Sequence, residues 1–151
     1  MTEDQFINKY EKYIKWYVLS SNKKLTIDFI KKYKDKLNWT NLSKNEIFLK
    51  NEEYLDEFKD KLNWTSVCYI IKKDELTYDF VEKYKNYLHW RGILSRFKIN
   101  KEIFNKYHTI IFAMYDKYDR KILMKKYGYK ISSKLTKEIK EEEQAQIIER
   151  S

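Results

Sequence analysis

The residues whose spacing best suits catalysis are two carboxylates in the C-terminal third of the chain. Asp116 and Asp119 stand three positions apart, so a helix would place both on one face, as paired ligands of a divalent metal require. A metal bound there would support metal-assisted catalysis. Lys117, Arg120 and Lys121 surround the two acids, which is typical of a surface ion-pair network. A metal-dependent enzyme is therefore the third of three hypotheses, behind two kinds of binding protein.

The other side chains able to bind metals or attack substrates are scattered. His89 and His108 are 19 positions apart, and neither has a second His or Cys at the spacing of a zinc site. Cys68 occupies a small-residue position of a repeat, where a packed side chain is more usual than a reactive thiol. The sequence contains no phosphate-binding loop, zinc motif or nucleophile elbow. We predict no enzyme activity, no cofactor and no metal.

Cysteine usage and hydropathy indicate where the chain acts. Cys68 is the only cysteine and cannot form an internal disulfide, which favours a reducing, intracellular setting. We therefore expect the cytoplasm. No run of 18 apolar residues is present and the N-terminus is acidic, so neither a membrane span nor a signal peptide is predicted.

The chain is basic, with a net charge of +9 from 32 basic and 23 acidic residues. Residues 137–151 hold three basic and five acidic residues, so the rest of the chain carries +11. A polyanionic partner would suit this charge, although an AT-rich coding sequence would also enrich lysine. Only four of the basic residues are arginine, the preferred side chain for two-pronged contacts with phosphate and bases. That scarcity argues against a dedicated nucleic-acid reader.

Several basic residues recur at fixed positions of the repeat and could form a ladder of contacts to phosphate. The candidate contacts to a partner or to phosphate are Lys32, Lys83, Lys34, Lys59, Lys85, Arg91 and Arg96. Acids precede two of them at helical spacing, as Asp28 precedes Lys32 and Asp79 precedes Lys83, so local ion pairs explain part of the pattern. Glu57 interrupts the row to which Lys32 and Lys83 belong.

Four tryptophans mark the repeat, at intervals of 23, 25 and 26 residues. Each repeat has an aromatic or apolar residue, then others four and eight positions later, then Trp at ten. The sets of repeats 1 to 4 are Phe6, Tyr10, Ile14 and Trp16; Phe29, Tyr33, Leu37 and Trp39; Tyr54, Phe58, Leu62 and Trp64; and Phe80, Tyr84, Leu88 and Trp90. Repeat 5 is a degenerate copy with Ile103, Tyr107, Ile111 and, at the Trp position, Ala113. The tryptophans could be stacking platforms or hot spots for a partner, but their fixed spacing favours a structural core.

Each repeat reads as two helices joined by a tight corner. The apolar residues four apart form a stripe on a helix of about three turns. Thr26, Asn51, Thr77 and Asn100 stand three residues before the first apolar position and are of the types that begin helices. Trp and the residues three and four positions later form a second, shorter face, and Asn38 stands at the corner before Trp39.

Neither helix can bury its apolar face alone, whereas stacked neighbours can. The sequence therefore predicts an all-α fold: a short α-solenoid of about five helix-corner-helix repeats over residues 1–114. A C-terminal helical cap and polar tail are expected over residues 115–151. In that part, Tyr115 to Tyr127 reads as one helix, and Ser132 or Ser133 can begin another.

The motif Lys-Asp-Lys-Leu-Asn-Trp occurs in repeats 2 and 3, ending at Trp39 and Trp64. It resembles the tandem short-helical repeats with an Asp-Lys-x-Asn-Trp signature in proteins of tailed phages and giant viruses. The resemblance covers residues 4–112, with repeats 1, 4 and 5 matching only the apolar positions. It implies a helical array and a viral or mobile-element origin, and it assigns no site residues.

Our leading hypothesis is a non-enzymatic helical-repeat binding protein of a phage or mobile element. Its partner would be a host protein or nucleoprotein complex. One form of such a protein is a stoichiometric inhibitor of a host nucleoprotein defence complex, for example a CRISPR-type effector. The alternative is a protein that binds DNA or RNA without sequence preference through surface lysines.

Overall fold

The computed structural model describes residues 1–127 and Glu141, and the regular secondary structure in these residues is helical, without a β-strand. The all-α class is thus confirmed. The chain forms two compact units, Met1–Gly92 and Ile93–Ser151, which we describe separately. The expected boundary after residue 114 falls inside the second unit. The predicted helix beginning at Ser132 or Ser133, and the polar tail, lie outside the described residues.

The first unit holds repeats 1 to 3 and most of repeat 4. Its helices are α1 (Glu3–Tyr10), a 3₁₀ turn (Glu11–Tyr13), α2 (Trp16–Leu19), α3 (Ile27–Tyr33), α4 (Trp39–Leu42), α5 (Ile47–Lys50), α6 (Glu52–Phe58), α7 (Trp64–Ile70) and α8 (Tyr78–Tyr84). Helix α9 (Trp90–Arg96) contains the division between the units, and the second unit continues with α10 (Lys101–Ala113) and α11 (Lys117–Lys126).

The predicted helix starts are confirmed. The hydroxyls of Thr26 and Thr77 accept the backbone N–H of the residue three positions later, and the side chains of Asn51 and Asn100 accept that of the residue two positions later. Thr2 begins α1 in the same way as Thr26. Each cap satisfies one of the N–H groups that the first turn of a helix leaves without a partner.

The first helix of repeats 1 to 4 is shorter than predicted, with seven or eight residues instead of three full turns. In repeat 2, the carbonyl of Tyr33 accepts the N–H groups of both Lys36 and Leu37, at 2.9 and 3.2 Å. This tight turn ends the helix while keeping Leu37 buried. The backbone carbonyls of Phe58 and Tyr84 accept the same pair of hydrogen bonds in repeats 3 and 4.

The corner before each second helix also has a repeated structure. Asn38 accepts the N–H of Asn41 at 3.0 Å, and Asn63 accepts that of Ser66 at 3.0 Å, so each asparagine begins the helix that starts with Trp. The prediction of a break before Trp39 is thereby confirmed. One helix was not predicted: α5 inserts Phe48, which is 1% exposed, between repeats 2 and 3.

The core of the first unit is built from the repeat positions. Ile30, Leu55 and Val81 are equivalent residues, each directly after the first apolar position, and each is at most 2% exposed. The short second helices bury Leu42 and Val67 completely. The stripe on each first helix and the short face after Trp therefore meet in one apolar interior, as expected for a helical-repeat protein.

The second unit packs α10 against α11. Phe104, Tyr107 and Ile111 of α10 are buried, and the ring of Tyr127 stacks on that of Phe104 with centroids 4.6 Å apart. Helix α10 runs without a corner through the positions where a repeat would bend. The Nε–H of Arg120 donates to the carbonyl of Tyr115 at 2.8 Å and to that of Phe112 at 2.9 Å, which ties the link between the two helices to α11.

Candidate partner-binding surface

Adjacent repeats of the first unit are joined by a buried hydrogen bond that recurs at equivalent positions. The N–H of Asn38, at the corner of repeat 2, donates to Oγ of Ser20 in repeat 1 at 2.8 Å. Ser20 Oγ in turn donates to the carbonyl of Trp16 at 2.6 Å. Asn63 and Ser43 repeat this contact one unit later, at 2.9 Å. The hydroxyl thus connects the end of one short helix to the start of the next.

Cys68 stands at the same position in repeat 3. Its sulfur accepts the backbone N–H of His89 at 3.3 Å, and its side chain is 1% exposed. The position therefore requires a small side chain with a hydrogen-bond acceptor. The packed setting expected for Cys68 is what the structure shows, and the thiol connects repeats 3 and 4.

The tryptophans lie beside the corners. In repeats 2, 3 and 4, the indole N–H donates to the carbonyl five residues earlier: Trp39 to Lys34, Trp64 to Lys59, and Trp90 to Lys85, at 2.8 to 3.0 Å. Trp90 is fully buried. Trp16, Trp39 and Trp64 are only half-buried, so the expectation of a wholly interior row describes Trp90 and not the other three. Their exposed edges extend along the corner side of the repeats.

Two repeats hold a carboxylate of the preceding repeat between a lysine and a tyrosine. In repeat 2, Lys32 forms an ion pair with Asp4, and the hydroxyl of Tyr33 donates to Asp4 Oδ1 at 2.8 Å. Hydrogen bonds from Lys32 and Tyr33 hold the pKa of Asp4 below its ordinary value. Burial, together with the hydrogen bond to Asp4, raises the pKa of Tyr33 to about 12. We call this arrangement a Lys-Tyr clamp.

The second Lys-Tyr clamp lies in repeat 4. Lys83 Nζ is 2.8 Å from Asp56 Oδ2 and the hydroxyl of Tyr84 donates to Oδ1 at 2.6 Å. Hydrogen bonds from Lys83 and Tyr84 lower the pKa of Asp56, while burial and the contact with Asp56 raise that of Tyr84. Lys83 also pairs with Glu52 at 3.3 Å.

The same two positions carry the opposite charges between repeats 2 and 3. Lys31 is equivalent to Asp56, and Glu57 is equivalent to Lys83; Lys31 Nζ and Glu57 Oε2 are 3.3 Å apart. Glu57, which interrupts the lysine row in the sequence, is thus the acidic member of a reversed ion pair. The sequence contained the signal, since the charges at the two positions are complementary in both pairs of repeats.

A further contact between repeats lies next to the corner. Lys36 pairs with Glu11, Lys61 with Asp35 at 3.6 Å, and the hydroxyl of Tyr87 donates to Asp60 at 2.9 Å. Lys36, Lys61 and Tyr87 are equivalent positions of repeats 2, 3 and 4. In each contact the later repeat donates and the earlier repeat accepts.

The structure corrects the expected pairing of the candidate lysines. Lys32 and Lys83 pair with the preceding repeat and not with Asp28 and Asp79 of their own helices, because stacking brings a neighbour's carboxylate within reach. Lys85 does pair locally, with Glu82 at 3.2 Å.

The remaining candidates occupy different settings. Lys59 Nζ lies 5.7 Å from the ring of Tyr87, and Lys34 is exposed. Arg91 is exposed in the first unit, and Arg96 in the second lies over the ring of Phe97. Lys32 and Lys83, the candidate lysines that pair with carboxylates of neighbouring repeats, therefore stabilise the stacking of repeats.

Repeat 1 has the donors of these contacts, but the part of the chain that the structure describes supplies no acceptors for them. We call the surface that a repeat turns towards the preceding repeat its leading face. In repeat 1 it is formed by Phe6, Lys9, Tyr10, Tyr13, Lys15, Val18 and Asn22, the equivalents of Phe29, Lys32, Tyr33, Lys36, Asn38, Asn41 and Asn45. Among the described residues, no carboxylate contacts Lys9 or the hydroxyl of Tyr10.

Of the two acids considered as metal ligands, Asp116 has a structural role. Asp116 begins α11, and its Oδ1 accepts the N–H of Asp119 at 2.9 Å. His108 Nδ1 lies 2.6 Å from the carbonyl of Asn105. Within residues 1–127 and Glu141, no group of three or more His, Cys, Asp or Glu side chains could hold a metal ion.

Two further results concern the whole of the described chain. No helix in that part is both long enough and apolar enough to cross a membrane. Comparisons with protein-family models, with curated proteins and with solved structures found no match. Proposals about function therefore depend on the surface of this chain itself.

Proposed function

We propose that this chain is a non-enzymatic helical-repeat binding protein of a phage or related mobile element. It would act on a host protein or nucleoprotein complex. The observation that supports the proposal is the leading face of repeat 1, which has an apolar pocket and hydrogen-bond donors without acceptors among the described residues. Asp116 and His89, two of the side chains that could do chemistry, instead begin α11 and α9. The resemblance of the Asp-Lys-x-Asn-Trp motif supports the origin.

A stoichiometric inhibitor of a host defence complex is the specific form that we propose. A small repeat protein suits this role because it binds through surface complementarity and needs no turnover. A CRISPR-type effector would also present nucleic acid, and surfaces that bind basic residues, to a chain with a net charge of +9. Affinity purification of the tagged chain from host lysate should recover one partner at near-equal molar amount. Reassembly of the complex from purified components, with loss of the partner's activity, is the expected result.

The proposal fails if purified candidate complexes neither bind the chain nor lose activity at a molar excess of it. A charge-reversal control is available in the second unit of the same chain. Replacing Lys117 and Lys121 by glutamate changes the net charge by four without altering the first unit, so charge alone can be separated from recognition by the repeats.

Binding of DNA or RNA through lysines is the second candidate, and one contact favours it. The side-chain amide of Asn45 donates to the carbonyl of Asn22 at 3.5 Å, which brings together the loops that hold Lys23, Lys24 and Lys44. These lysines are exposed, and no ion pair involves them in the described part of the chain. Mobility shift of labelled duplexes should weaken steeply with salt and with the replacement of Lys23 and Lys44 by glutamate. Absence of a shift at low salt would exclude this candidate.

A further inference from the structure

The clamp of repeats 2 and 4 has a counterpart in repeat 1 that none of the described carboxylates occupies. Lys9 and Tyr10 stand at the positions of Lys32 and Tyr33, which together hold the carboxylate of Asp4. The ammonium of Lys9 lies 5.3 Å from the centre of the Tyr10 ring, a distance that adjacent Lys-Tyr pairs of this chain share. The pair in repeat 1 thus has the two donors of a clamp, and the component that the described residues do not supply is a carboxylate.

The backbone of repeat 1 also has the donors that later repeats use. In repeats 2 and 3 the N–H groups of Asn38 and Asn63 donate to serine hydroxyls of the preceding repeat. Lys15 occupies the same position, and its N–H has no acceptor among the described residues. The side-chain amide of Asn45 donates to a carbonyl of repeat 1, and Asn22 is its equivalent. An occupant would therefore offer a hydroxyl and backbone carbonyls.

The rest of this face is apolar. Phe6, Tyr13, Ile14, Val18 and Leu19 line an open pocket of about 560 Å³. Val18 is 52% exposed and stands where repeat 2 has Asn41, whose side-chain amide donates to the carbonyl of Tyr17. A polar residue that bonds a preceding repeat is thus replaced in repeat 1 by an apolar one. Phe6, at the rim, is 50% exposed.

We infer that the leading face of repeat 1 binds an acidic helix-corner-helix segment of a partner protein. A carboxylate of its first helix would lie between Lys9 and Tyr10, its apolar side would fill the pocket beside Val18, and a hydroxyl at the end of its second helix would accept from Lys15. This arrangement copies the way in which repeat 1 covers repeat 2. The inference rests on the proposed function as a binding protein and specifies the chemistry of the partner.

Other occupants fit the face less well. Two copies related by a two-fold axis would bring donors against donors. In a head-to-tail arrangement, repeat 5 offers Lys101, Asn105 and Thr109 where repeats 1 and 3 have Asp4, Asp56 and Asp60, so it has no carboxylate at these three positions. Nucleic acid would supply acceptors, but its phosphates would leave the apolar pocket uncovered. An acidic helix-corner-helix segment satisfies both the donors and the pocket.

The test uses a segment whose docking geometry is known from the protein itself. A synthetic peptide with the sequence of residues 2–22, which forms α1, the corner and α2 and covers repeat 2 in the structure, carries Asp4, Glu11 and Ser20. With its α1 part held helical by a lactam bridge and with a fluorophore attached, it is titrated with the intact chain and followed by anisotropy. We expect saturable binding. Lys9→Glu should weaken it at least about threefold, because the change removes a half-exposed ion pair and places a carboxylate against that of Asp4.

A charge exchange and a matched control identify the site. Lys23→Glu makes the same charge change in a loop outside the pocket and should leave the affinity unchanged. A peptide in which Asp4 is replaced by lysine should bind the Lys9→Glu variant better than it binds the natural chain, as the reversed pair of Lys31 and Glu57 suggests. Val18→Asp should remove binding while the circular dichroism spectrum is retained, because Val18 is exposed.

Four results would overturn the inference. They are no saturable binding up to about 1 mM peptide, equal losses for Lys9→Glu and Lys23→Glu, displacement of the peptide by duplex DNA, and a dimer in sedimentation that Val18→Asp dissociates. A purified host partner whose affinity is unchanged by Lys9→Glu and Val18→Asp would remove this docking site and leave the proposed function standing. If the peptide binds but no host partner is found, the docking site stands and the proposed function fails.

Discussion

The backbone N–H of Gly92 donates to Nδ1 of His89 at 3.1 Å, so the histidine begins α9 as asparagines begin the second helices of repeats 2 and 3. The imidazole ring is larger than an asparagine amide. A Cβ at position 92 would lie 3.0 Å from His89 Nδ1, whereas Asn41 and Ser66 carry a Cβ at the equivalent positions. His89 and Gly92 therefore form a compensating pair.

This pair predicts a coupling between two substitutions. Gly92→Ala alone should change the free energy of unfolding little, because a gain of about 1 kcal/mol in helix propensity is offset by displacement of the cap, which costs about as much. In a His89→Asn background the smaller cap leaves room, so the alanine should stabilise the protein by about 1 kcal/mol. Urea unfolding of the four variants measures the coupling. An equal effect of Gly92→Ala in both backgrounds would contradict it.

The serine connections between repeats give a second prediction. Ser43→Ala leaves the N–H of Asn63 without its acceptor and should lower the free energy of unfolding by about 1–2 kcal/mol. Ser43→Cys should cost less, because the sulfur of Cys68 accepts the corresponding N–H of His89 in repeat 3. Thermal and urea unfolding test both changes.

Ser21 provides the control for this series. It is adjacent to the buried Ser20 but exposed, so Ser21→Ala should change the unfolding free energy by less than about 0.5 kcal/mol. If Ser43→Ala were as mild as Ser21→Ala, the hydroxyl would not connect the repeats in solution.

The reversed ion pair gives a third prediction. Lys31→Glu or Glu57→Lys alone places like charges together between repeats 2 and 3 and should destabilise the protein slightly. The double exchange should restore it, with a coupling energy of about 0.2–1 kcal/mol because both side chains are nearly half-exposed. The coupling should shrink in high salt. Additive effects of the two changes would show that the pair does not form.

Much of the fold could be predicted from residue types. Thr26, Asn51 and Thr77 begin helices because their side chains can accept an N–H locally, and that chemistry needs no knowledge of the tertiary structure. The equivalence of Ser43 and Cys68 was likewise visible from spacing alone. Helix length could not be predicted from spacing, because the double hydrogen bond at the carbonyl of Tyr33 tightens the chain without changing the apolar spacing.

The candidate surface could be predicted less well, because its contacts join residues about 25 positions apart. Lys32 has an acid four residues before it in Asp28 and another 28 residues before it in Asp4, and only stacking decides that Asp4 is its partner. The leading face of repeat 1 becomes visible only after the contacts of repeats 2 and 4 show which donors require an acceptor.

The last prediction concerns alkaline pH. Burial and the contact with Asp4 raise the pKa of Tyr33 to about 12, above the value of about 10 expected in an unfolded chain. A raised pKa means that the folded state favours the protonated phenol, so this contribution is complete below pH 10 and is lost as the pH rises towards 12. Thermal midpoints measured across that interval should therefore fall.

Tyr33→Phe removes the titrating group and should make the fall shallower. Tyr17→Phe is the matched control, because Tyr17 lies in the same unit with an exposed ring and its loss should leave the slope unchanged. Ultraviolet titration of tyrosinate gives an independent measurement, since Tyr33→Phe should remove a phenol that ionises late. If Tyr33→Phe and Tyr17→Phe change the slope equally, the hydroxyl of Tyr33 does not hold Asp4 in solution. The Lys-Tyr clamp of repeat 2, from which the site on repeat 1 is inferred, would then not form.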